Sequence, residues 1–89
     1  MPVSFKSDIL PLFRPVDISH MKGFNVLLDD YPYMSDPAAA GSFTDHGHAR
    51  NVYCYLTGDC QPRMPIGGPF WSAEQLRLFQ QWMNDGYRP

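Results

Sequence analysis

The stretch Trp71-Ser72-Ala73-Glu74-Gln75-Leu76-Arg77-Leu78-Phe79-Gln80-Gln81-Trp82-Met83-Asn84-Asp85-Gly86 carries every local signal of an amphipathic helix. Ser72 and Gln75 form a Ser-x-x-Gln capping box, in which each side chain satisfies a backbone N–H that the first turn leaves without a partner. Trp71 and Leu76 stand at the positions of a hydrophobic staple. Leu76, Phe79, Trp82 and Met83 then recur at helical spacing, while Glu74, Arg77, Gln80, Gln81 and Asn84 occupy the other face. Gly86 supplies the stop. Phe79 and Trp82 are expected to pack in the core.

Working back along the chain, Ala49, Val52, Tyr53 and Leu56 form a second stripe, which predicts a helix from about Thr44 to Thr57 ended by Gly58. A third, short helix is expected from Pro15 to Lys22, with proline in its first turn and Gly23 as terminator. Phe5, Ile9, Leu12 and Phe13 share a helical face near the start, but Pro11 lacks an N–H, so that helix should be short or kinked. Tyr31-Pro32-Tyr33 and Asp36-Pro37 read as turns, and Gln61-Pro62-Arg63-Met64-Pro65-Ile66-Gly67-Gly68-Pro69 as a loop that breaks both helix and ladder.

The chain has 89 residues, enough for one domain, with nine prolines and seven glycines marking several short elements. Hydrophobic content of 44% and aromatic content of 15% are those of a globular sequence. The net charge is -2 and the seven Lys and Arg are scattered, so no basic stripe invites a nucleic acid. No apolar run reaches the roughly 18 residues that span a bilayer, and Met1-Pro2-Val3-Ser4-Phe5-Lys6 lacks the apolar core of a signal peptide. A cytoplasmic, non-membrane protein is the expectation. There, Cys54 and Cys60 would both be reduced; in an oxidising compartment they can form one disulfide.

Four observations in chain order make the sequence resemble small class I cytochrome c domains. Asp8-Ile9-Leu10-Pro11-Leu12-Phe13 resembles the first helix, and Arg14-Pro15-Val16-Asp17-Ile18-Ser19-His20 stands where Cys-x-x-Cys-His would lie. Met64-Pro65 resembles the methionine loop, and Gln75 to Gly86 the last helix. The resemblance implies an all-α, cytochrome c-like domain of three to five short helices. Val16 and Ser19 replace the two haem-bonding cysteines, so covalent haem is lost and only the histidine is kept. The two axial ligands of that family would correspond to His20 and Met64, leaving noncovalent haem or copper as one reading of the pair. A helix-end histidine bonding a carbonyl and a methionine filling a core gap is the other.

Asp45-His46-Gly47-His48 is a further candidate metal site. Residues two apart on a helix point to different faces, so His46 and His48 can chelate one ion only from an irregular segment. No cysteine has a sequence-specified base, Asp29-Asp30 is the pattern of a turn or cap, and neither a phosphate loop nor a Gly-x-Ser-x-Gly elbow is present. A non-catalytic protein is therefore expected. The aromatics exceed what one small core readily buries, so Tyr31, Tyr33, Phe43, Tyr55 and Tyr87 are candidate interface residues. Two functions remain: an accessory module that binds a protein partner such as an oxidoreductase or biosynthetic enzyme, or an electron-transfer or metal-handling protein. The first should fill the cofactor space with its own side chains, Phe13, Phe24, Tyr53, Trp71 and Trp82 being the ones expected there.

Overall fold

The structure is a computed structural model that describes residues 3–65 and 68–89. Its last helix, α4, spans Ala73–Asn84. The Ser72 side chain accepts from the Gln75 N–H at 3.2 Å, and the Gln75 side chain accepts from the Ser72 N–H at 2.8 Å. Phe79 and Trp82 are fully enclosed. Gly86 follows at φ 96°, a left-handed turn that glycine adopts without a Cβ clash.

Helix α3, Gly47–Thr57, packs on α4 through Ala49, Val52 and Leu56 and ends at Gly58 with φ 89°. It starts three residues later than the apolar pattern predicts, because His46 adopts φ 47° and breaks the helical path. The His46 and Gly47 N–H groups instead donate to the Pro37 and Ala38 carbonyls, both at 3.0 Å. Those bonds tie loop 36–45 to the helix start. Within that loop, Ala40 and Phe43 form an isolated antiparallel bridge; no other strand pairing exists among the described residues.

The Pro11 problem is resolved by two unlike turns. A wide π-type turn, Phe5–Ile9, passes directly into a 3₁₀ turn, Leu10–Leu12, so no α-helical N–H is demanded of the proline. Helix α1, Pro15–Lys22, has the bounds read from its proline and glycine. The segment Tyr31–Met34, read as a turn from sequence, is instead a one-turn helix, α2, with Pro32 in its first turn. A hydroxyl–carbonyl bond of 2.6 Å from Tyr31 to Tyr87 holds it in place.

The two ends of the described chain are joined. Arg88 O accepts from Phe5 N at 2.9 Å and from the Trp82 indole at 2.8 Å, and Asp85 accepts from Val3 N at 3.0 Å. Behind this seam runs a continuous file of aromatic rings, Phe13–Trp71–Phe79–Trp82–Phe5, with neighbouring centroids 5.2 to 6.2 Å apart. Ile9, Leu28 and Met34 complete the sealed interior. Tyr53 stacks against Phe79 from a partly buried position. Phe24, expected in this core, is 65% exposed and takes no part in it.

Candidate functional site

Helix α1 begins with Arg14 clamping Asp17: the guanidinium donates to both carboxylate oxygens, at 2.8 and 2.9 Å. That contact, foremost the Arg14 hydrogen bonds, holds the Asp17 carboxyl below the usual carboxylate range. Four residues apart, Val16 and His20 share a helix face. Both are exposed, Val16 at 63%. The helix then stops in a turn in which Phe24 N and Val26 N both reach the Met21 carbonyl and Asn25 takes φ 62°. Because of that turn Met21 and Val26 point inward while Phe24 is left outside, its ring 5.5 Å from that of His20.

Met64 arrives from the loop after α3. Its N–H donates to the Tyr55 carbonyl at 2.9 Å, and its side chain is 2% exposed. Cys54, near the end of α3, is bonded to Cys60, the pairing that the sequence allowed for an oxidising compartment. The Cys60 N–H also donates to the Cys54 carbonyl, so a tight turn brings the two sulfurs together. Arg63 lies over the Phe70 ring, 4.2 Å from its centre, and its stem occupies the space a Cβ would need at Gly58. Ile66 and Gly67, part of the loop read from sequence, lie outside the described residues, as do Met1 and Pro2 at the chain start.

Between α1 and this loop opens an apolar crevice of about 190 Å³, lined by Met21, Phe24, Val26, Tyr55, Pro62 and Met64. Ordinary cofactor and ligand clefts run from about 300 to 1,000 Å³. His20 is not in the crevice wall but outside it against Phe24. Haem needs both axial side chains directed into one deep slot. The residues here do not fit it, because the crevice that Met64 lines is too small, His20 lies outside that crevice and is exposed to solvent, and the aromatic file occupies the interior.

His46 and His48 also part company. His46 Nδ1 pairs with Asp45 at 2.9 Å and its ring lies flat on Tyr87, 3.9 Å away. His48 Nδ1 pairs with the Tyr33 carbonyl at 2.9 Å and its ring stacks on Tyr33 at 3.8 Å. His46 is the left-handed residue before α3 and His48 lies in its first turn, and their rings lie on different tyrosines. Among the described residues no three His, Cys, Asp or Glu side chains converge as a metal site. Met64, read with His20 as one reading of a copper pair, is buried with Met21 and Met34.

The expected interface tyrosines mostly serve the fold. Tyr87 is buried, and burial raises the pKa of its phenol. Tyr31 bonds the C-terminal seam, Tyr33 carries His48, and Tyr55 lines the crevice; these three and Phe43 are half-buried. The aromatics left most open are Phe24 and Phe70, at 65% and 50%. Sequence reasoning missed Phe24, because it follows a glycine-marked turn whose direction depends on distant packing. No family model, no curated protein and no solved structure matches this chain.

Proposed function

We propose that this domain is a non-catalytic docking module on a cytochrome c-like helical scaffold, and that it engages a protein partner through the crevice between α1 and the Met64 loop. The observation that carries this reading is the exposure of Phe24 at the lip of an apolar crevice, with Val16 open on the adjoining helix. Scattered single apolar residues are ordinary on a surface, but a bulky ring beside an apolar hollow is the form of an interface anchor site. Lys22, exposed in the last turn of α1 two residues before Phe24, adds a cation to the same segment. The partner surface that matches is an apolar side chain flanked by carboxylates, on an oxidoreductase or a biosynthetic enzyme. The joined Cys54–Cys60 pair supports an oxidising compartment over the cytoplasm expected from the sequence. No helix among the described residues is long and apolar enough to cross a membrane.

The test is the paired behaviour of Phe24→Ser and Lys22→Glu. Both positions are exposed, where substitutions usually change stability by within about 0.5 kcal/mol. Unchanged unfolding midpoints with complex formation weakened tenfold or more is the expected result. Partner binding that survives both substitutions places the interface elsewhere.

A further inference from the structure

A second cleft lies on another part of the molecule, between α3 and the exposed side of α4, and encloses about 370 Å³. That volume falls within the range of small-molecule sites. Phe43, Tyr53 and Met83 give it apolar surface, and none of its lining residues belongs to the Met64 crevice. Its charged lining is unequal, because the carboxylates of Asp45 and Asp59 stand against the Arg50 guanidinium. The two acids come from opposite ends of α3, Asp45 from just before its first turn and Asp59 from just beyond its last.

The two carboxylates differ in what they already hold. One oxygen of Asp45 accepts from His46 Nδ1 at 2.9 Å and from Arg50 at 3.3 Å. These contacts, foremost the His46 hydrogen bond, hold the Asp45 carboxyl below the usual carboxylate range. Arg50 is thereby matched, and it also lies near the Tyr87 phenol, where its charge works against the burial that raises the pKa of that group. The Asp59 side chain has no ion pair and no hydrogen bond among the described residues. Its backbone is nevertheless held, inside the short loop closed by the Cys54–Cys60 bond and by an N–H donated to Thr57 Oγ1 at 3.4 Å. The cleft is left with one unmatched negative charge beside an apolar floor.

We infer that this cleft is a binding site for a small organic cation, an ammonium carried on an apolar body, with Asp59 as its counter-ion and Tyr53, Phe43 and Met83 against the body. The Tyr53 ring is a fixed wall, stacked on Phe79 and tied to Gln80 Oε1 by its hydroxyl at 3.4 Å. An aromatic face attracts a cation, and the dipole of α3 is negative at the end where Asp59 stands. An anion meets the opposite balance, since the guanidinium it would need already serves Asp45. Nothing is asked of the His46 ring beyond its contact with Asp45. This site is independent of the Met64 crevice, and its test does not involve a protein partner.

Phenethylamine is a suitable probe, because it joins an ammonium to a single ring. Titrated into isotope-labelled full chain at neutral pH, it should produce saturable NMR shifts at the Asp59 backbone amide and the Gln80 side-chain amide. The acidic pair Asp29-Asp30, which lies outside the cleft, should show no comparable shift. Asp59→Asn should weaken the affinity by about fivefold, which corresponds to about 1 kcal/mol. Arg50→Gln, which removes the guanidinium from the lining, should not weaken it. Both side chains are exposed, so the variants are expected to fold, and unchanged shifts of the buried Trp82 indole N–H check that they have. Phenethyl alcohol, which lacks the charge, and phenylacetate, which reverses it, should give no saturable shift. The inference is overturned if phenethylamine gives no saturable shift into the millimolar range, or if the alcohol or the acid binds as well. It is equally overturned if the affinity is indifferent to Asp59→Asn or falls with Arg50→Gln, or if the shifts gather around Met64 or Asp29-Asp30 instead.

Discussion

At Gly47 two residue-scale effects of opposite sign compete, and their sizes decide the outcome. Replacing a helical glycine by alanine ordinarily gains up to about 1 kcal/mol. Here the added Cβ would overlap the Ala40 backbone, and forced overpacking costs typically about 1 to 3 kcal/mol or more. Gly47→Ala is therefore expected to lower stability by about 2 kcal/mol, read as a shift of the urea midpoint, where a helix-propensity scale predicts a rise. Single residues were legible in the sequence wherever their partners lie within a turn. Ser72 and Gln75 satisfy each other three residues apart, so the capping box was readable from spacing alone. Phe24 was not, because its exposure depends on the left-handed Asn25 and on the way Val26 folds back to Met21. His46 was read as a helix-start residue, and nothing local announces that its ring lies on Tyr87, forty-one positions on.

At the scale of elements, α1 and the end of α3 each depend on one polar or covalent fastening. Asp17 has its pKa lowered in the fold by the Arg14 hydrogen bonds. A carboxyl so depressed contributes stability that is fully present above its unfolded value, about 3.9, and is lost as pH falls through the lower folded value. Below about pH 4 the native domain should therefore lose stability more steeply than Asp17→Asn, with the gap between their denaturation midpoints closing as Asp17 protonates. The Cys54–Cys60 bond closes a short loop, for which the chain-entropy account gives about 2 kcal/mol. Reduction by dithiothreitol should lower stability by about that much and increase amide exchange from Asp59 to Met64, while α4 keeps its protection. The bounds of α1 were readable because proline and glycine act through their own backbones. The late start of α3 and the helical turn at Tyr31–Met34 were not, because bonds to Pro37, Ala38 and Tyr87 decide them from outside the helices.

For the whole molecule, the aromatic file from Phe13 to Phe5 dominates stability. Trp82, the fourth ring of the file, is enclosed and touches Phe5, Phe79 and Tyr87. Truncating a buried tryptophan costs about 3 to 5 kcal/mol, a large share of the roughly 4 to 13 kcal/mol that a domain of this size has in total. Trp82→Ala should abolish the cooperative thermal transition, or bring it near room temperature. The helical class and the main core residues of α3 and α4 were legible from periodicity. The proposed docking face was not, since apolar residues expected inside had to be distributed between core and surface by the packing of loops. An interior filled with rings leaves Met64 as a wall residue, and the docking face we propose lies at the Phe24 lip. The most direct measurement of that claim is site-specific photo-cross-linking in extract of the native cell. p-Benzoylphenylalanine is placed at Phe24 or, as a control, at the exposed Gln81 of α4, with adducts identified by mass spectrometry. The account predicts one reproducible protein adduct from position 24, absent from position 81, that excess native chain suppresses and excess Lys22→Glu chain does not. Equal labelling from both positions, or an adduct indifferent to both competitors, would contradict it.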